Sequence, residues 1–537
     1  MRKRPSPDHD AQPSDSDPAT AAVSGAITGP LSRRRFLVGA MSLGVAACAG
    51  SDTQSNSSGS TVAPASTSTP SNLTSSSGPF GSTTSTRPTR RSPNRYLSGN
   101  FAPVQTEVSR RRLDVVGAIP PELSGHLLRQ GPNPIGPVKP TDYHWFLGDG
   151  MTHAVELRDG AAVSYRNRWV RTDGASEQLD QPPIPNQVPD ISGIGNLANT
   201  SLVAHAGRVL ALFEVSLPTE ITTDLRTVGR YNFGGALKSP MTAHPKIDPR
   251  TGEMWFFGLD PINKPHLHLH VVDAQGALIR TEPVSLPGPT MMHDFALTTM
   301  HVVFLDQPVV YDFALLGQRP FPAKWTPSYG ARIGLMPRNG TGDQTQWFDM
   351  DLGYVFHVLN AFETTTGNVV IDVARYETMF DRDVYGVDDA LPRLERWTVD
   401  RSARKVTRDQ LDDRPQEFGT IDRRRLGEEH RYAYFARVPA DAGGFALAGL
   451  VKHDLRRGTA TEAILPSGSQ AGEPMFVPAS PDSGEDEGWV LSYVYDATSD
   501  GSSLMIFDAT DFTAPVATIS LPQRVPFGFH SAWVPAS

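Results

Sequence analysis

From residue 96 onward the chain is a succession of short apolar runs cut by turn signals, and that rhythm confines it to an all-β fold. Glu253-Met254-Trp255-Phe256-Phe257-Gly258, Thr299-Met300-His301-Val302-Val303-Phe304-Leu305 and Gly367-Asn368-Val369-Val370-Ile371-Asp372 are too short, and too rich in β-branched and aromatic residues, to be helices. They read as sheet strands. Asp248-Pro249-Arg250-Thr251-Gly252, Asp273-Ala274-Gln275-Gly276, Asp400-Arg401-Ser402 and Asp508-Ala509-Thr510-Asp511 each carry the chemistry of a hairpin turn. With 47 Gly and 46 Pro, turns are frequent enough to separate many strands, and only residues 376–381 and 388–395 leave room for local turns or short helices. A radial assembly of sheets is one way to use so many short strands without leaving long edges open, although no short repeat is visible.

The N-terminal part follows different physics. Leu31-Ser32-Arg33-Arg34-Arg35-Phe36-Leu37-Val38-Gly39 sets consecutive arginines directly before an apolar run, the pattern of a twin-arginine export signal. The run from Phe36 to Ala47 has 12 residues, which as a helix reaches about 18 Å against a hydrocarbon core of about 30 Å, too short for a span. Cys48, the one cysteine, follows Val45-Ala46-Ala47, a small-residue box of the kind at which bacterial lipoproteins are cleaved and acylated. Acylation would tether the mature protein to the outer face of the plasma membrane; an inert Cys48 would leave it secreted or periplasmic. Of the 40 residues 51–90, 22 are Ser or Thr, so this tract cannot bury enough apolar surface to fold. The expected organisation is a twin-arginine lipoprotein signal peptide over 1–47, a disordered linker over 48–95 and one folded domain over 96–537. A formal charge of -9 with mixed signs offers no basic stripe to nucleic acid, which leaves small molecules as the expected partners.

Four histidines stand in apolar, strand-like contexts: Ala243-His244-Pro245, Met291-Met292-His293-Asp294, Tyr354-Val355-Phe356-His357 and Phe527-Gly528-Phe529-His530. Imidazole suits iron, copper, nickel and zinc; four neutral nitrogens leave the ion's charge intact and a position open for dioxygen, which favours iron and oxygen chemistry. Their intervals of 49, 64 and 173 residues are unlike the short spacings of zinc motifs. Taken singly, each is better read as a hydrogen-bonded core residue. His266, His268 and His270 form a rival set, alternating along one face of a strand, though ligands so placed lie about 7 Å apart. Glu214, Glu417 and Glu473 also sit among apolar residues, where a carboxylate could hold the remote N–H of a metal-bound imidazole or serve the backbone or surface instead.

Six blocks occur in order: Gly99-Asn100-Phe101-Ala102-Pro103-Val104, Leu128-Arg129-Gln130-Gly131-Pro132-Asn133-Pro134, His144-Trp145-Phe146-Leu147-Gly148-Asp149-Gly150-Met151, Tyr165-Arg166-Asn167-Arg168-Trp169-Val170-Arg171-Thr172, Met291-Met292-His293-Asp294-Phe295 and Pro526-Phe527-Gly528-Phe529-His530. Through them the chain resembles the carotenoid cleavage oxygenases, the family that includes stilbene-cleaving dioxygenases and the retinal pigment epithelium isomerohydrolase. The resemblance implies a seven-bladed β-propeller with Fe(II) on its axis and a cap of loops and helices over a substrate tunnel. Matched motif by motif, it implies His244, His293, His357 and His530 as iron ligands and Glu214, Glu417 and Glu473 as the carboxylates behind three of them. Thr200 matches a threonine whose methyl group obstructs one coordination site in some members, or is an ordinary strand residue.

The activity so implied is cleavage of a carbon–carbon double bond by dioxygen into two carbonyl products, with no residue beyond the metal centre acting as acid or base. Stilbene-cleaving relatives carry a lysine just before the glutamate of the first carboxylate motif; Phe213 stands there in this chain, which favours a carotenoid or apocarotenoid over a phenol. Leu147 also departs from the family pattern, with no functional reading. Three alternatives remain: a stilbene or phenylpropanoid alkene-cleaving dioxygenase, an isomerase-type iron protein, and a non-enzymatic surface propeller that retains the histidines for packing.

Overall fold

The computed structural model describes residues 94–536 apart from 186, 193–194, 384, 386–389 and 440–445. The twin-arginine segment, Cys48 and all but the last two residues of the proposed linker lie outside the described residues. Within them the strands form a seven-bladed β-propeller. Blade one holds Ser201–His205, Arg208–Leu212, Thr219–Ile221 and Thr227–Arg230, and blade two holds Lys246–Ile247, Met254–Leu259, His266–Val272 and Leu278–Ser285. Blade three is Phe295–Leu297, His301–Asp306, Arg332–Pro337 and Gln346–Asp349, with the hairpin Val309–Tyr311 and Ala323–Trp325 inserted between its second and third strands.

Blade four starts at Tyr354–Glu363 and continues through Val369–Tyr376 and Arg393–Asp400 into the 16-residue strand Lys405–Thr420. That strand pairs with blade four up to Pro415 and with Tyr432–Arg437 from Gln416, so it is the outermost strand of one blade and the innermost of the next. Gly449–Asp454 and Thr459–Glu462 complete blade five. Blade six runs from Met475–Pro478 through Gly488–Asp496, Gly501–Asp508 and Pro515–Ser520, and takes Val115–Gly117 on its outer edge. Blade seven joins the C-terminal strand Ser531–Pro535 to Gly125–Pro132, Gly150–Arg158, Ala161–Trp169 and Ser109–Arg111. Both ends of the described chain therefore close the ring, which leaves it no open seam.

Apolar clusters fill the seams between blades. Leu210, Leu212, Met254 and Phe256 pack between blades one and two, Phe257, Leu269 and Phe304 between two and three, and Leu305, Ile371 and Trp397 between three and four. Leu127, Tyr165, Leu491 and Ile506 do the same between six and seven. A middle strand is thus covered on both faces: Val369–Tyr376 is buried at every position, whereas the outer strand Leu278–Ser285 is exposed at alternate ones.

The four turn signals all fall between paired strands. In 248–252 and 273–276 a glycine takes the left-handed conformation, Gly252 at φ +70° and Gly276 at φ +93°, while Asp273 Oδ1 accepts from the N–H groups of Gln275 and Ala277. The expectation for 388–395 needs correction from Arg393 onward, because Arg393–Asp400 is a strand paired along Val369–Tyr376; its β-branched and aromatic residues follow the sheet, not local propensity, while 390–392 form no regular element and 388–389 lie outside the described residues. Tyr376 likewise ends a strand, followed by bends. Among the described residues the sole α-helix is Asp173–Gln178, and the cap is made of loops with short 3-10 turns at Trp145–Leu147, Phe313–Leu315 and Pro327–Tyr329.

Candidate metal centre

The entry to each blade's innermost strand carries one of the residues singled out in the sequence. Thr200 directly precedes Ser201–His205, His244 stands two residues before Lys246–Ile247, and His293 two before Phe295–Leu297. His357 lies within Tyr354–Glu363, Glu417 at the start of the shared strand's blade-five half, Glu473 two residues ahead of Met475–Pro478, and His530 directly before Ser531–Pro535. The odd intervals now have a cause: 49 and 64 residues each span one blade, and 173 spans three. Glu214 is the exception, reaching the same level from the end of the second strand of blade one.

One ring nitrogen from each of His244, His293, His357 and His530 lies within 4.8 Å of all the others. The Nε2 atoms of His244 and His293 are 2.9 Å apart, and those of His357 and His530 3.2 Å. On their far side three rings donate Nδ1–H to a carboxylate: His293 to Glu214 at 2.9 Å, His357 to Glu417 at 2.6 Å and His530 to Glu473 at 3.0 Å. That assignment leaves the Nε2 lone pairs directed inward. Glu417 and Glu473 are themselves fixed, accepting from the backbone N–H of Phe418 and Ser531. His244 has no carboxylate behind its ring among the described residues; its backbone N–H donates to Thr242 Oγ1 at 3.2 Å.

Burial, reinforced by the neighbouring imidazoles, drives His244 well below the ordinary histidine value. Burial likewise lowers His530 to about 4, against the opposing pull of Glu473. For His357 burial acts in the same sense, but the surrounding carboxylates, Glu417 foremost, together outweigh it, and the value rises. Burial would raise the Glu473 carboxyl; His530 and then Arg129 hold it below its usual range.

The residues present fit a bound metal. Two nitrogens held at about 2.1 Å from one first-row ion and at right angles to each other are roughly 3 Å apart, the spacing of both close pairs. The inward Nε2 atoms of His293, His357 and His530, backed by three carboxylates, make a site that a divalent cation completes electrostatically. His266, His268 and His270 form no such group. His266 Nδ1 bonds Asp260 O at 2.9 Å, and His270 bonds Ser239 Oγ at 2.8 Å and Thr281 Oγ1 at 3.0 Å.

Above the histidines opens a recess, with His293, His357 and His530 in its wall beside Thr200 and Glu214. Much of its lining is aromatic. Phe356 meets the His293 ring edge-on at 5.2 Å, and Phe418 lies 5.1 Å from His357 and 5.3 Å from His530. Trp145, Phe146 and Phe321 come from the cap, and Phe213 is also in the wall. The Thr200 hydroxyl donates to Asn199 Oδ1 at 2.9 Å. Sequence reasoning missed this wall as a unit, yet a signal was present: Phe356, Phe418 and Phe529 each adjoin a candidate ligand or carboxylate in the chain. Trp145 and Phe321 had none, since only the folded cap brings them over the centre, and Tyr376 reaches it from the end of its blade-four strand.

Comparison with known proteins agrees with this geometry. A family model described as retinal pigment epithelial membrane protein matches residues 101–535. A carotenoid cleavage oxygenase of Mycobacterium tuberculosis is 38% identical over 494 residues, covering 83% of this chain and 98% of the relative. Among solved structures, cobalt-substituted Synechocystis apocarotenoid oxygenase matches with a TM-score of 0.73 at 30% identity, over 83% of this chain and 99% of that one. Pseudomonas brassicacearum lignostilbene dioxygenase matches with a TM-score of 0.75 at 28% identity over the same shares.

Proposed function

Because the chain belongs to the retinal pigment epithelial membrane protein family, which the carotenoid cleavage oxygenases share, we propose that it is a non-haem Fe(II) dioxygenase. Its reaction adds the two atoms of dioxygen across one carbon–carbon double bond of a carotenoid or apocarotenoid and releases two carbonyl products. The observation that carries this reading is the convergence of four imidazoles, three of them braced by buried carboxylates, at the wall of an aromatic recess. Fe(II), when bound, supplies the redox chemistry toward dioxygen that no side chain of the site can provide.

The protein's own share is placement. His244, His293, His357 and His530 would hold the metal without neutralising its charge, and Glu214, Glu417 and Glu473 keep three of those rings in the tautomer that offers Nε2 inward. Thr200, in the wall beside Glu214, would limit access from one side. Trp145, Phe146, Phe321, Phe356, Phe418 and Phe529 give a polyene flat apolar surfaces and exclude water from the reacting bond. Scission of an alkene by dioxygen balances without a proton donor or acceptor, in keeping with a wall whose histidines are each paired to a carboxylate. Phe213 favours a polyene over a phenol, since it offers no charge or hydrogen bond to a phenolic oxygen.

The test is incubation of the iron-loaded protein with a carotenoid and apocarotenoid panel under air, followed by product identification. Paired aldehydes or ketones support the proposal. Cleavage confined to stilbenes transfers it to phenylpropanoid substrates, rearranged polyene makes the protein an isomerase, and iron-replete protein with no turnover leaves a binding propeller. We also propose twin-arginine export and acylation at Cys48, which would hold the recess near membrane-dissolved substrates; release of the Cys48→Ser variant from the membrane fraction is the result expected, and identical fractionation would overturn it.

A further inference from the structure

The three glutamates account for three rings but not for His244, nor for the way segments so distant in the chain are kept level. Asp294, directly after His293, is only 3% exposed and no part of it reaches the recess. Its Oδ2 accepts from the backbone N–H of Val358, the residue after His357, at 2.9 Å. Its Oδ1 accepts from its own neighbour Phe295 N at 2.8 Å and from Lys246 Nζ, two residues beyond His244, at 2.7 Å. One carboxylate therefore touches the ligand-bearing segments of blades two, three and four.

The contact to Val358 falls at an irregularity. Pairing of Tyr354–Glu363 with Val369–Tyr376 slips between Val355 and Val358, the stretch that carries His357. A bulge of this kind re-aims a side chain and leaves backbone N–H groups without strand acceptors. Blade three supplies side-chain acceptors at both ends: Gln307 Oε1 takes Val355 N at 3.0 Å and Asp294 Oδ2 takes Val358 N. We infer that Asp294 is a positioning residue of the metal centre, a fourth carboxylate that acts on main chain and on Lys246 instead of on an imidazole, and that it is the device which places His244. The inference rests on the metal-centre reading above. Its removal would strand the Lys246 ammonium in a half-buried position and release the bulge behind His357.

The experiment is titration of the metal-free full-length protein with Co(II) under anaerobic conditions, read by the cobalt d–d absorption bands, with unfolding of the metal-free protein followed in parallel. Asp294→Ala is expected to weaken Co(II) binding by about 10–100-fold and to alter the bands. Asp294→Asn, which keeps an oxygen for Val358 N–H but loses the charge pairing, should recover part of the affinity. Lys246→Met should weaken binding less, and its effect should not add to that of Asp294→Asn. Wild-type affinity and bands in Asp294→Ala, or in both Asp294→Asn and Lys246→Met should the alanine variant not fold, would overturn the inference. So would equal losses in the alanine and asparagine variants that track metal-free stability. A wild-type protein that takes up no Co(II) would instead sink the metal-centre reading itself.

Discussion

Blade two contains histidines of two kinds. His266, His268 and His270 alternate along a single strand, close in sequence, yet two of the three rings are taken by Asp260 O, Ser239 Oγ and Thr281 Oγ1, and His268 and His270 stack at 6.4 Å. His244, at the blade's inner entry, shares no sequence neighbourhood with His293, His357 or His530 but meets all three across the axis. A metal site is thus defined by what stands behind each ring. Around the axis the remote nitrogens of three rings are committed to carboxylates and the near ones face a common point; on the strand, hydroxyl and carbonyl groups satisfy His266 and His270 individually.

The sharpest way to break this comparison is to empty each group in turn. His293→Ala or His357→Ala should abolish stoichiometric iron and reduce alkene cleavage by at least about 100-fold, while replacing His266, His268 and His270 together should leave the iron content unchanged, as measured by metal analysis of purified protein. Iron lost from the triple variant alone would reverse the assignment of the two groups. Glu214→Gln and Glu417→Gln come next: the amide still accepts from Nδ1–H but carries no charge, so iron affinity should fall by about tenfold, the low end of the 10–100-fold range for such residues, in a chelator competition.

Phe213→Lys probes the recess rather than the ring. An ammonium in an apolar wall should lower kcat/KM for a polyene by about tenfold and raise the relative rate on a hydroxystilbene, with iron content intact. The smallest effect belongs to the far end of the strand that carries His357. There Glu363 accepts from Thr299 N at 3.1 Å, Met300 N at 3.2 Å, His301 Nδ1 at 3.0 Å and the hydroxyls of Thr298 and Thr299. Burial opposes ionisation, but these donors, His301 first, pull the carboxyl down to about 2 from 4.5. A depressed folded value means stabilisation present above about pH 4.5 and lost as pH falls toward 2. Glu363→Gln should therefore cost about 1–2 kcal/mol near neutrality, after allowance for solvent screening. In urea unfolding the difference from wild type should shrink below pH 4, with metal uptake unaffected.

Much of this was legible in the sequence, for identifiable reasons. Alternation of short β-branched runs with Asp- and Gly-containing turns is a local property, so the all-β class and the turns at 248–252 and 273–276 can be read directly; at 393–395 sheet pairing overrides a weak local preference. The aromatic neighbours Phe356, Phe418 and Phe529 were visible beside their ligands, but Trp145 and Phe321 belong to loops whose position only the cap decides. Asp294 looked like an ordinary acidic residue, since nothing local reveals that it bonds Lys246 and Val358, 48 and 64 residues away. By itself the chain determined the strand period, the donor types and, through its motifs, the family. Which imidazoles meet, which carboxylate stands behind which ring and what shape of recess lies above them were decided by closure of the seven-bladed ring, because hydrogen bonding and ligand geometry depend on distances of about 3 Å that no spacing along a polypeptide encodes.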